Sequence, residues 1–185
     1  VNEPYDPHSA STDEELLPVV DEHDRPIGVR RRREIHRLGL RHRSVQVCLV
    51  DPAGRIWLQK RSRRKDTFPG WWDMAVTGHV EPGETYAEAA IRELREELGL
   101  AAQPRWIGRT AAAALTGWEF QEHYLLRWNG PITDFNREEI DELRPFRSDE
   151  IEQAARANHP DLRLTPGVIY ILPHLLAALK PEQTP

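Results

Sequence analysis

Apolar residues recur along this chain with two periods, and the changes between them mark out its elements. LPVVD (17–21) and PIGVRRRR (26–33) flank the turn residues Glu22 to Arg25, which predicts a β-hairpin. EIHRLGL (34–40) reads as a short helical turn closed by Gly39. SVQVCLVD (44–51) and RIWLQKR (55–61), joined through Pro52, Ala53 and Gly54, have the apolar, β-branched make-up of strands buried on both faces. After a loop with a turn at Pro69 and Gly70, DMAVTG (73–78) is predicted as a strand. PRWIGRTAAAAL (104–115) and EFQEHYLLRW (119–128) read as two strands around a turn at Gly117, with IDELRPF (140–146) as a further one. Residues 149–158, polar and rich in alanine, predict a helix. Thr165 and Pro166 suit the cap and first residue of a C-terminal helix, which Pro173 should kink or split.

The clearest helical period lies at 85–98. Thr85 and Glu88 form a capping box and Gly99 stands at the C′ position. At about 100° per residue, Ala87, Ala90, Ile91, Leu94 and Leu98 share an apolar arc, and Glu93, Glu96 and Glu97 an adjoining acidic one. Like charges one turn apart cost a helix about 0.2–0.5 kcal/mol per pair. Two readings of that arc stand side by side. It is a solvated face on which Arg92 pairs with Glu96, or it is a set of oxygen ligands for a hard divalent cation such as Mg²⁺. Strands on either side of a central helix, with a closing helix, place the chain in the α/β class as a sandwich around a mixed sheet. Residues 1–14 read as a flexible leader, 15–180 as a single domain and 181–185 as a tail.

Composition narrows the classes. With 185 residues and 39% hydrophobic content the chain can bury a sizeable core. A net charge of -5 argues against a nucleic-acid-coating protein, although the run Arg30 to Arg33 could contact phosphate. The single cysteine, Cys48, sits among Val45, Val47, Leu49 and Val50 and reads as a buried strand thiol of a reducing compartment. The longest apolar stretch, Val168 to Leu179, is too short to span a bilayer, and no signal-peptide pattern opens the chain, so a cytoplasmic location is expected.

The loop before the acidic helix completes a longer pattern. Residues 78–100, GHVEPGETYAEAAIRELREELGL, fill the form G-x(5)-E-x(7)-R-E-U-x-E-E-x-G-U, where U is a bulky aliphatic. The fixed positions are Gly78, Glu84, Arg92, Glu93, Leu94, Glu96, Glu97, Gly99 and Leu100. The segment resembles the signature of the Nudix hydrolases at each of them, far more specific than a lone glycine motif. The resemblance implies an α/β/α sandwich with a central mixed sheet. It also implies Mg²⁺ or Mn²⁺ as cofactor, and cleavage of a small-molecule diphosphate such as a nucleoside di- or triphosphate or a related nucleotide. It makes Glu93, Glu96 and Glu97, with Glu84 and the Gly78 carbonyl, the metal ligands. Glu96 or Glu97 becomes the general base, with Glu122 as a further candidate, and Arg92 an orienting partner.

Outside the signature, residues 17 to 128 are similar to isopentenyl-diphosphate isomerase, a Nudix-fold enzyme. The likeness rests on Val19 to Glu22, on His36 and His42, on Arg61, Lys65, Pro69, Gly70 and Trp72, and on Gly78 with His79. It implies a second metal site from His36, His42 and His79 with Glu119 or Glu122, and a diphosphate grip from Arg61 and Lys65, with His79 also near the substrate. Where the isomerase has its proton-donating cysteine, directly before the Gly-His pair, this chain has Thr77, and a hydroxyl is far too weak an acid to replace a thiol. The two leading histidines are also one residue closer together than in the isomerase. Hydrolysis is therefore the expectation, by a chain for which a homodimer is admissible. An isomerase-like activity and a catalytically silent nucleotide-binding module stand as the alternatives.

Overall fold

The computed structural model describes residues 14–65, 67–157 and 159–180, so the leader (Glu14 apart) and the tail lie outside the described residues. The predicted hairpin forms a small antiparallel sheet of β1 (Leu16–Val20) and β2 (Pro26–Arg31). It continues directly into α1 (Arg32–Leu38), which Gly39 ends in the left-handed conformation at φ 61°. Leu17, Val19 and Ile35 form the small core beneath this unit. Its turn is tied to the rest of the chain by Asp24. That residue binds Arg43 Nε (2.7 Å) and the Tyr86 hydroxyl (3.0 Å), and pairs with Arg109.

The main sheet is mixed and seven-stranded, made from β3 (His42–Val50), β4 (Ile56–Arg61), β5 (Trp72–Met74), β6 (Val76–His79), β7 (Arg105–Thr110), β8 (Glu119–Arg127) and β9 (Ile140–Phe146). Its centre is the parallel pair β3 and β8, in register from His42 opposite Glu119 to Val50 opposite Arg127. Alternation along β3 explains why both of its faces are buried. Val45, Val47 and Leu49 meet Ala90, Leu94 and Leu98 of α2 (Tyr86–Leu98) on one side. Cys48 and Val50 meet Ile151 of α3 (Ser148–Ala157) and Val168, Ile171 and Leu175 of α4 (Pro166–Leu179) on the other. The result is the expected α/β/α sandwich.

Several details differ from the sequence reading. DMAVTG is not one strand: the chain changes partner at Ala75, so β5 pairs with β4 while β6 pairs with β3. The strand expected to reach residue 115 stops at Thr110, and 114–116 form a 3₁₀ turn. On α2 the buried alanines are Ala89 and Ala90, whereas Ala87 is exposed. Pro173 does not split α4; it lies on the exposed face, near solvent that can hydrate the Ile169 carbonyl deprived of its donor.

The seat of α4 on the sheet is partly polar. His174 lies 5.3 Å from His123, ring to ring, and occupies the space a side chain at position 108 would need, which is why glycine stands there. His123, fully buried on β8, has Nε2 at 2.8 Å from the Thr110 hydroxyl, and burial together with His174 pulls its pKa down to about 4. The folded chain therefore keeps His123 neutral where the unfolded chain, with a pKa of 6.5, protonates it. Stability from this group is present above the unfolded value and is lost as pH falls toward the folded one. Denaturant unfolding should show roughly 2 kcal/mol of it lost between pH 7 and pH 5. His123→Gln should flatten the pH dependence over that window, and an unchanged slope would remove His123 as its source.

Candidate functional site

The cleft originates in the sheet itself. β3 and β4 pair only at Leu49 with Trp57 and Val50 with Ile56, then diverge, with β6 added to the one and β5 to the other. Between them opens a space of about 1710 Å³, flanked by the acidic side of α2, the loop after β4 and the first turn of α4.

Gly78 and α2 meet at one edge of this cleft. A Cβ at position 78 would lie 2.0 Å from the Glu93 carboxyl carbon, so the first glycine of the signature is there to let that carboxylate approach the strand. Glu97, 5% exposed, accepts from Gln59 Nε2 at 3.1 Å. Burial pushes its pKa well up, and the Glu93 charge adds to the shift, against Lys65 and Arg61. Glu93 is pushed up to about 7, first by burial, which outweighs Arg92, and then by Glu96 and Glu15. Two carboxylates one turn apart on one helix, one buried and one largely enclosed, are the setting that a divalent cation relieves, so the donor set fits one. Glu96 reaches the same cleft but is half exposed and held by Arg92 at 3.1 Å.

Arg92 organises the loop and helix. It binds both carboxylate oxygens of Glu84 (2.9 and 3.0 Å), Glu93 (2.7 Å) and the His79 carbonyl (2.8 Å). Glu84, expected among the metal ligands, is here engaged by Arg92. Both of its oxygens serve Arg92 and one also accepts the Glu81 N–H at 2.9 Å, so it fixes the arginine and the loop.

At the neighbouring edge the structure gathers His36, His42, His79 and Glu119, with one ligand atom of each within 4.8 Å of all the others. Four elements deliver them: α1, β3, β6 and β8. His42 Nδ1 lies 3.0 Å from the Leu40 carbonyl, which leaves its buried Nε2 without a hydrogen bond, 3.6 Å from Glu119. Burial raises the Glu119 pKa, yet His42, His79 and the Gln121 amide outweigh it and hold the carboxyl well below its usual range. Ser44 Oγ and Gln121 Nε2 each donate to it at 2.8 Å. An orphaned imidazole nitrogen among three other donors fits a divalent metal, and the imidazole-rich set suits transition ions. Burial and the neighbouring cations hold His36 down to about 4, so its ring is available as a neutral ligand at neutral pH.

Glu122 joins neither group. Alternation along β8 turns it to the opposite face from Glu119 and Gln121, where it accepts from the Tyr124 hydroxyl at 2.7 Å. Its expected roles, as base and as ligand, are corrected accordingly. Arg61 and Lys65 do reach the cleft: Arg61 lies 3.4 Å from Asp73 and 3.1 Å from the Thr67 carbonyl, and Lys65 pairs with Glu139. Of the basic run, Arg31 and Arg33 grip Glu14 and the buried Arg32 lies 3.9 Å from Glu15. The sequence reading missed Glu15, Gln46, Asp73, Gln121 and Thr165, all of which line the cleft. For Gln46 a signal existed: a polar side chain interrupting the apolar run of β3.

The model of the Nudix domain family matches residues 40–168, well over half of the chain. A Nudix hydrolase of Pseudomonas aeruginosa is 45% identical over 93 residues, 50% of this chain and 55% of that protein. Isopentenyl-diphosphate Delta-isomerase of Burkholderia multivorans is 40% identical over 92 residues, 50% of this chain and 52% of the other. The matched region thus spans about half the length of these curated relatives. The crystal structure of DR0079 from Deinococcus radiodurans superposes with a TM-score of 0.75 at 27% identity, over 87% of this chain and 99% of that one. The loop folded against α2 through Gly78 and Arg92, together with these matches, establishes that the chain belongs to the Nudix family.

Proposed function

We propose that this chain is a divalent-metal-dependent hydrolase that cleaves the diphosphate linkage of a small molecule of the nucleoside di- or triphosphate class or a related nucleotide. The observation that carries the reading is a pair of carboxylates one turn apart, Glu97 buried and Glu93 largely enclosed, presented by one helix to a cleft that also holds Arg61 and Lys65. Glu93, Glu96 and Glu97, with the Gly78 carbonyl, would hold Mg²⁺ or Mn²⁺. A cation bound there neutralises charge on the diphosphate and makes water a usable nucleophile near neutral pH. The chain's own groups do the rest. Arg61 and Lys65 orient the diphosphate, a role in which a guanidinium and an ammonium offer directed, charge-assisted bonds. Arg92 and Glu84 keep Glu93 and Glu96 in position. Glu97, buried and with a raised pKa, is the better placed of the two candidates for general base, since Glu96 is engaged by Arg92. His36, His42, His79 and Glu119 form a second divalent site at the neighbouring edge, with His79 also close to the substrate.

An isomerase needs an acid at the cleft, and the thiol of this chain is elsewhere. Cys48 is fully buried in the α4-facing core, 3.5 Å from the Met74 sulfur, and burial pushes its pKa far up. Thr77 lines the cleft in its stead. A silent binding module has no need of the complete set of signature glutamates. Among the described residues no helix is long and apolar enough to cross a membrane, and a cytoplasmic location belongs to this reading.

Three outcomes test it. Glu97→Gln should lower phosphate release from nucleoside diphosphates and triphosphates by about 100-fold or more while the unfolding midpoint holds or rises, because a buried charge is replaced by a neutral amide. Unchanged turnover would end its catalytic role. Gly78→Ala should displace Glu93 and weaken Mg²⁺ or Mn²⁺ binding measured by calorimetry at least tenfold, and wild-type affinity would refute the close-approach argument. Chelation should abolish turnover and Mg²⁺ or Mn²⁺ should restore it, with metal analysis showing one ion fewer in Glu119→Gln than in the parent; equal ion counts would remove the histidine site.

A further inference from the structure

The buried end of the cleft carries chemistry that neither the carboxylates nor the histidines use. Two of its polar atoms, Gln46 Oε1 and Gln121 Oε1, have no hydrogen-bond partner, and the Thr165 hydroxyl meets none in good geometry, although it lies close enough to Asp73 to lower that carboxyl's pKa. Their residues are only 4%, 6% and 2% exposed. A buried acceptor left unmet costs about 1–3 kcal/mol, so two in one place point to a ligand that completes them. The end is rigid as well as polar. A Cβ on Gly167, in the first turn of α4, would lie 2.3 Å from Gln46 Nε2, so the amide is wedged against the helix and glycine is what admits it. Thr165 holds the N-cap position without capping, and its hydroxyl is turned toward Asp73 and the cleft rather than the helix. Asp73 lies beside them and close enough to Glu97 to raise that carboxyl's pKa, so this end is continuous with the proposed metal-binding edge.

We propose that Gln46, Gln121, Thr165 and Asp73, beside the first turn of α4, recognise a polyhydroxylated group, a sugar or sugar-like polyol, on the organic side of the diphosphate. Carbonyl oxygens, a carboxylate and a hydroxyl together call for a ligand rich in O–H donors. The two unmet carbonyl oxygens give a further phosphate no donor, and they leave an alkyl chain facing unmet polar atoms. A nucleobase would want an aromatic face to stack on, and no aromatic side chain belongs to this group; Phe68, Trp118 and Phe135 line the cleft from its loops instead.

The inference rests on the hydrolase reading, and a matched pair of five-carbon probes separates the two. Ribose 5-diphosphate and n-pentyl diphosphate share the scissile bond and differ in their hydroxyl groups. Water cleaves the anhydride P–O bond to give inorganic phosphate and the corresponding monophosphate from each. With Mg²⁺ or Mn²⁺, kcat/KM should favour the ribose probe by about tenfold or more, and Gln46→Leu and the isosteric Thr165→Val should each bring the ratio toward one. A ratio near one in the parent protein, a preference for the pentyl probe, or a ratio untouched in folded variants overturns the subsite. If neither probe is cleaved, the hydrolase reading fails on these substrates while binding still decides the subsite. A larger rise in unfolding temperature with the ribose probe, lost in Thr165→Val, supports it, and equal shifts for the two probes refute it.

Discussion

Enclosing two carboxylates within one turn of a single helix, Glu97 fully and Glu93 in large part, is costly, and the arrangement around them is built to meet that cost. Glycine at 78 lets Glu93 come in, Gln59 donates to Glu97, and Arg92 supplies the nearest positive charge to Glu93. None of these removes the strain altogether, since burial still pushes both carboxyl groups upward. What remains is a demand for positive charge from outside the chain, a demand of the kind that a divalent cation meets. The loop, the helix caps and the splayed strands are all geometry in the service of this one electrostatic imbalance.

The splay matters as much as the helix. Had β3 and β4 stayed paired beyond Leu49 and Trp57, the sheet would have closed over α2 and the glutamates would have faced a hydrogen-bonded surface. Instead the change of partner at Ala75 divides one run of chain between two strands, and the opening is lined by polar side chains of otherwise apolar strands. Function here comes from interrupting a sheet that would be more regular without it.

These origins explain what could be read from the sequence and what could not. The hairpin, the paired apolar strands, the acidic helix with its caps and the closing helix are encoded in local periodicity, so they were legible. The signature residues were legible because their spacing is fixed by one loop and one helix. Glu122 was misassigned because a strand's alternation counts only when the face of one of its residues is known, and the sharing of Arg92 among Glu84, Glu93 and Glu96 has no trace in the motif. Glu119 and the three histidines come from four separate elements, so only the family resemblance brought them together beforehand. Asp73 and Thr165 could not be found from the chain, because their significance depends on where β5 and α4 end up.

One feature of the small sheet reaches further than its size suggests. Of the four side chains in the histidine cluster, His42, His79 and Glu119 belong to the main sheet, but His36 rides on α1 with the hairpin, a unit joined to the body through its own small core and the Asp24 contacts. An ion shared among these four would act as a rivet between two substructures, so its occupancy and the docking of the hairpin are thermodynamically linked. Each must strengthen the other by the same factor, and loosening the Asp24 turn would be felt as weaker ion affinity some distance away.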